Sequence, residues 1–190
     1  MLKFNKHLAK IHAYLCADGY VIKSDKVRRK YYYIGFRNYL NLLLDNFDYH
    51  FEKYFKIKPR RMNDGRSVVQ NKEITLQLLE NYSFYSLNWV MPKMIKKLYT
   101  YWLQAYFDCE AWVICKKAKN RMIGIDSINK SGLESIKLYL KKFGIDSKIK
   151  PAKINIPNRN DIFRLFIFGK DNLKKFQKLI DFSHPKKKLK

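Results

Sequence analysis

The feature that most constrains this 190-residue chain is an internal repeat. Over residues 98–110 apolar side chains recur at helical spacing. Residues 113–117 and 122–128 read as strands joined by the polar turn Ala118-Lys119-Asn120-Arg121. Ser131-Gly132-Leu133-Glu134 has the form of a capping box. It opens a helix on which Leu133, Ile136, Leu140 and Phe143 share a face, and which Gly144 can end. A strand at 145–149, a loop at 151–161, a strand at 162–168 and a helix capped by Asp171 complete this half. The first half runs through the same order. It has a helix at 8–18, strands at 21–23 and 31–36 around a basic turn at 24–30, and a helix over 39–55 capped by Asn38. Strands at 57–61 and 67–70 then flank the turn Asn63-Asp64-Gly65, and Asn71 caps a helix at 72–79. Residues 89–97 bridge the halves; Trp89, Met91 and Met94 there read as helical core.

The chain is therefore expected to be an α+β protein, a duplicated αββαββα repeat with pseudo-twofold symmetry. Its halves are 1–95 and 96–190, packed as one compact monomer in the way two subunits of a dimer pack. The alternative, two unrelated runs of elements, must treat the matching order as accident.

The repeat also aligns two acids. IHAYLCADG (11–19) lies over LQAYFDCEA (103–111), matching Ala13 to Ala105, Ala17 to Cys109 and Asp18 to Glu110. Small residues four apart on one helix face let two backbones approach closely. If these helices cross there, Asp18 and Glu110 meet at their C-terminal ends. That end disfavours negative charge, and two neighbouring carboxylates repel. The arrangement makes sense if a divalent cation sits between them, and oxygen-only ligands suit Mg²⁺ rather than Zn²⁺. Taken singly, either acid reads as an ordinary polar helix end.

Charge indicates the partner. Forty Lys and Arg against 16 Asp and Glu give a formal charge of +24, which attracts polyanions, nucleic acid foremost. The bases concentrate in the two equivalent hairpins: Lys23, Lys26, Arg28, Arg29, Lys30 and Arg37 in the first, Lys116, Lys117, Lys119 and Arg121 in the second. A two-stranded ribbon fits a major groove. Tyr31, Tyr32 and Tyr33 interleave with these bases, and strict alternation sends at least one into the core. The run His184-Pro185-Lys186-Lys187-Lys188 reads as a solvated basic tail touching backbone phosphate. No run approaches the ~18–20 apolar residues of a membrane span, and the N-terminus has no secretory signal. Cys16, Cys109 and Cys115 form neither a disulfide framework nor a zinc cluster. An intracellular, cytoplasmic protein without a membrane partner is expected.

The stretch IHAYLCADG resembles the LAGLIDADG motif of the homing endonucleases, and LQAYFDCEA resembles its second copy. The duplicated order resembles the single-chain, archaeal intron-encoded members of that family. The resemblance implies two antiparallel sheets forming a saddle over a long double-stranded DNA site, with the last acid of each motif binding divalent metal. That carries over to Asp18 and Glu110, with Mg²⁺ as cofactor and Mn²⁺ able to substitute. Both DNA strands would be cut across the minor groove, at an asymmetric site. The usual glycines are Ala13 and Ala105 here, and the final motif glycine survives as Gly19 but becomes Ala111. The family also places a basic or polar residue near each metal. The candidates are Arg37 and Lys130, with Arg66, Arg164 and Lys170 as further catalytic or phosphate-contacting groups. The competing function is a non-cleaving binder on the same scaffold, either a maturase that aids splicing of intron RNA or a DNA-binding regulator.

Overall fold

A computed structural model describes residues 2–27, 29–116, 120–152 and 160–188. Helix α1 (Lys6–Asp18) starts at Asn5, whose side-chain oxygen accepts from the N–H groups of His7 (2.8 Å) and Leu8 (3.0 Å). It passes without a loop into β1 (Gly19–Lys26). Then come β2 (Arg29–Arg37), α2 (Asn41–Phe55), β3 (Arg60–Met62), β4 (Arg66–Gln70) and α3 (Lys72–Asn81). The second half follows the same order: α4 (Lys96–Glu110), β5 (Ala111–Lys116), β6 (Asn120–Ser127), α5 (Lys130–Lys142), β7 (Lys148–Pro151), β8 (Phe163–Phe168) and α6 (Lys170–Leu179). Each half forms one four-stranded antiparallel sheet, in the order β1-β2-β4-β3 and β5-β6-β8-β7. The expected α+β duplication is thus present strand for strand.

Several boundaries differ from expectation. The first hairpin is longer, because residues 24–26 and 29–30 are paired strand: Ser24 faces Tyr31 and Lys26 faces Arg29. Backbone pairing alone extends a ladder past the last core contact, where no apolar alternation announces it. The strand expected at 57–61 is confined to Arg60–Met62, and that at 145–149 to Lys148–Pro151. Ile145 is fully buried from the loop before β7. Three caps also move. Asn129, not Ser131, caps α5, its Oδ1 accepting from Gly132 N–H at 2.8 Å. Gly169, at φ 89, precedes α6, and Asp171 lies in the first turn. Leu40 is the cap residue of α2, leaving Asn38 for another task. Residues 117–119 and 153–159, within the expected second turn and long loop, lie outside the described residues.

The helices cover one face of each sheet. Alternate residues point at them: Ile34 and Phe36 on β2, Ile123 and Ile125 on β6, Leu165 and Ile167 on β8 are all buried. Between the halves α1 packs along α4. Ala13 and Ala105 have no exposed surface, so the small residues do permit the close approach. Two polar contacts cross this seam. Trp102 Nε1–H donates to His12 Nδ1 at 3.0 Å, and Lys10 Nζ donates to Gln104 Oε1 at 2.9 Å. Burial pushes His12 down to about 4, so the imidazole is neutral and serves as an acceptor in the core. The bridging segment is irregular rather than helical, but it is core: Trp89 and Met91 are buried. The Trp89 ring lies against Gly132, where a β-carbon would come within 2.6 Å of it. No described helix is long and apolar enough to cross a membrane.

Candidate active site and nucleic-acid interface

Asp18 and Glu110 are the last residues of α1 and α4, and the residue after each is already extended (Gly19 φ −81°, ψ 153°; Ala111 φ −75°, ψ 141°). Ala111 is buried in that conformation, so losing the motif glycine leaves the direct helix-to-strand passage intact. Neither helix carries a basic residue in its own last turn to offset its negative dipole end. Both carboxylates are half-buried, and burial raises both above their ordinary values. Asn38 Nδ2 donates to Asp18 Oδ2 at 2.9 Å, which partly offsets this, as does a hydrogen bond involving Cys109. Among the described residues Glu110 has no such donor. It is pushed up to about 8 by burial first and by the Asp18 charge second, with Asp126 adding to the effect. Asp18 ionises first, so the repulsion between the two falls on Glu110. The acids from the two halves therefore do share one electrostatic neighbourhood.

A cleft of about 250 Å³ opens beside Glu110, lined among others by Ala17, Tyr106, Asp126 and Ser127. Two repelling, half-buried carboxylates with oxygen donors only suit a hard divalent cation. Among the described residues no set of three His, Cys, Asp or Glu side chains gathers to hold a metal. A cation here would complete its shell with water, backbone or phosphate oxygens, as Mg²⁺ commonly does.

The sheet faces turned away from the helices carry most of the remaining candidates. On β1, β2 and β4, alternation places Tyr20, Lys26, Tyr31, Tyr33, Arg37 and Arg66 on this open face. Arg66 is ion-paired to Asp64 (2.6 Å) and lies across from the exposed Arg37. Tyr32 is the tyrosine that turns inward. Its hydroxyl donates to Asp25, and the Lys72 ammonium lies 5.1 Å from its ring centre. Lys23 and Lys30 fall on the helix-side face but are exposed at the hairpin's far end, and Arg121 on β6 has the same character. On the second sheet Arg164 makes a bidentate pair with Asp126 (2.5 and 2.7 Å) and lies over Trp112 and Phe166. In both repeats an aromatic ring two residues past the acid covers a cross-strand glycine: Tyr20 on Gly35 and Trp112 on Gly124.

Not every candidate gathers at the acids. Lys130 is exposed, with its ammonium 5.6 Å from the Phe163 ring centre and 4.0 Å from Glu134. Lys170 is exposed at the start of α6. Arg28, Lys117 and Lys119 lie outside the described residues, as do the side chains of Arg29 and Lys116.

Sequence reasoning missed four groups. Arg60 on β3 and Lys148 and Lys150 on β7 are exposed and share the open faces. Their strands were placed a few residues too early, which hid the alternation. The fourth is Lys187. It is not solvated: its half-buried ammonium donates to the carbonyls of Asp108 (2.7 Å) and Cys109 (2.9 Å), and more weakly to Phe107 (3.4 Å).

Residues 97–181 match the family described as a LAGLIDADG-like domain. Two structures of I-DmoI superpose on most of the chain. One is from a set of mesophilic variants of that homing endonuclease (TM-score 0.66, 18% identity, 92% of this chain and 95% of that one). The other is I-DmoI in complex with DNA and Mn (TM-score 0.62, 17% identity, 92% and 96%). The N-terminal LAGLIDADG domain of DUF199/WhiA also superposes (TM-score 0.54, 16% identity, 93% and 82%). In sequence, 85 residues are 34% identical to the replication factor C small subunit of Thermococcus kodakarensis, covering 45% of this chain but only 9% of that protein. The second repeat thus matches a LAGLIDADG-like domain, and the whole chain shares the duplicated fold of the I-DmoI structures.

Proposed function

We propose that this protein is a divalent-metal-dependent endonuclease that cuts both strands of a long, asymmetric DNA site, acting as a monomer and encoded in a mobile intron. One observation carries the reading. The C-terminal acids of two equivalent helices sit together, repelling and short of donors, between two sheets whose open faces carry basic and aromatic side chains. The I-DmoI structure with DNA and Mn has the same fold, which supports it.

In this account Asp18 and Glu110 hold the cation, Mg²⁺ with Mn²⁺ as substitute. When bound, that ion activates water and stabilises the leaving oxygen. Asn38 orients the Asp18 carboxylate through its 2.9 Å hydrogen bond. Arg37, Arg66, Arg60, Lys148 and Lys150 contact phosphates and base edges from the open faces, and Arg164 stacks on Trp112 while held by Asp126. Among the differences between the repeats is one cross-strand pair on the open face: Arg37 faces Arg66 in one half, and Asp126 faces Arg164 in the other. Two unlike half-sites read by one chain suit an asymmetric target.

The second reading is a binder that does not cut, of DNA or intron RNA. Its support is the WhiA domain's similarity together with Ala111 in place of the motif glycine. The two readings separate in one experiment. The protein is incubated with a library of long duplexes in Mg²⁺ and the cut ends are sequenced, with Asp18→Asn and Glu110→Gln as controls. Clean double-strand cuts with a short 3′ overhang, absent from both variants, support the endonuclease. Tight binding without cuts in Mg²⁺ or Mn²⁺ establishes the binder.

A further inference from the structure

The last described turn of the chain does more than close it. Asp108, two residues before Glu110, is fully buried, and its Oδ1 accepts from the backbone N–H groups of Ser183 (2.9 Å) and His184 (3.0 Å). That anchor fixes the path of the segment beyond α6. Three residues on, Lys187 reaches back and places its ammonium on the terminal carbonyls of α4. The carbonyls of Asp108 and Cys109 are among those a helix leaves without partners, while that of Phe107 already accepts from the Ala111 N–H; α4 has no base of its own in the last turn. The carbonyl of Cys109, one of the three, belongs to the residue immediately before Glu110. The Cys109 thiol in turn lies within hydrogen-bonding reach of Asp18. Lys187 therefore sits at the junction of the two acids, with its charge felt by both. None of Arg37, Lys130, Arg66, Arg164 or Lys170 acts on both acids in this way.

We propose that Lys187 is a positioning residue, the built-in counter-ion of the Asp18–Glu110 pair. Strapped under α4 by Asp108, it holds the two carboxylates together when no cation is bound and sets how tightly the pair takes one. A lysine cation and a divalent cation compete for the same negative potential, so the ammonium stabilises the metal-free site and weakens its hold on metal. The counter-ion role rests on the ammonium's place at the end of α4, next to Glu110, from where its charge reaches both acids without a direct ion pair to either; its bearing on metal rests on the proposed cation site.

A double-mutant cycle tests it without using catalysis. Lys187→Met keeps the aliphatic stem and removes the charge, so melting temperature in EDTA at pH 9, where both acids are ionised, should fall. Lys187→Arg should retain most of what Met loses. Adding Glu110→Gln to Lys187→Met should restore most of the loss, because the counter-ion then has less to neutralise. A residue that merely caps carbonyls predicts otherwise: the two substitutions would shift the melting temperature additively. Additive shifts, or an Arg variant as impaired as Met, overturn the proposal. If Lys187→Met alone fails to fold, recovery of folded protein in the double variant supports the proposal, and failure of both overturns it. A Ca²⁺ titration by calorimetry at pH 9 supplies the second readout. Lys187→Met, or the folded variant closest to it, should bind Ca²⁺ about fivefold tighter or more; equal affinity overturns the metal half of the proposal. If neither wild type nor variant binds Ca²⁺, the cation site itself fails, while the cycle still decides whether Lys187 serves the acids.

Discussion

Replacing Glu110 with Gln should stabilise the metal-free protein at alkaline pH, because the wild type holds that carboxylate where ionisation is unfavourable. Glu110 is pushed from its ordinary 4.5 up to about 8 by burial and by Asp18. The sign follows from linkage. Below pH 4.5 the group is protonated in both states and contributes nothing. Between 4.5 and about 8 the unfolded chain releases the proton while the folded protein keeps it, so stability falls as pH rises. Above about 8 the whole deficit is present, and that displacement corresponds to about 5 kcal/mol as an upper bound. A glutamine amide also loses hydration on burial, so about half, roughly 2–3 kcal/mol, should be recovered. For a chain of this size that raises the melting temperature by about 5–10 °C. Urea unfolding of both proteins in EDTA at pH 5 and pH 9 reads it directly. The stability curves should nearly coincide at pH 5 and separate at pH 9 with the variant more stable. A variant less stable at pH 9, or a gap independent of pH, would refute the reasoning about this site.

Three further outcomes are expected. DNA affinity, if about 6–10 phosphates are contacted, should fall about 10³–10⁵-fold between 50 and 200 mM salt, measured by fluorescence anisotropy. Gly124→Ala puts a methyl into the Trp112 ring, which must move, and should lower stability by about 1–3 kcal/mol in denaturant unfolding. Asn38→Ala removes the donor that offsets burial at Asp18, so the acidic limb of the cleavage pH–rate profile should move to higher pH while DNA affinity holds.

The parts of the fold that were legible are those carried by periodicity. The buried alternation of Ile34 and Phe36, and of Ile123 and Ile125, marks strands. The matching order of elements then exposes the duplication and brings Asp18 and Glu110 to equivalent helix ends. What could not be read depends on competition between plausible partners. Ser131 and Asn129 both suit a cap, and only the turn of chain from Trp89, whose carbonyl accepts from Asn129 Nδ2 at 2.7 Å, decides between them. Asn38 looks like a helix cap, and its Oδ1 does accept from Leu40 N–H at 3.0 Å, but its amide is spent on Asp18, across 20 residues of chain. Lys187 is the extreme case. One lysine in a basic run has no local mark, and its partners at Phe107–Cys109 are set by how the segment after α6 folds back onto α4. Lysines and arginines of the open faces were legible only where strand register was right, which is why Arg60, Lys148 and Lys150 escaped.

The central claim is that one carboxylate from each half shares a metal beneath bound DNA. A crystal structure with a cognate duplex and Mn²⁺, read by the anomalous signal of manganese, tests it most directly. The account predicts a manganese ion ligated by oxygens of both Asp18 and Glu110 and by a backbone phosphate, with the duplex lying across the open sheet faces. Manganese bound elsewhere, or none between these two side chains while DNA occupies the same faces, would contradict it.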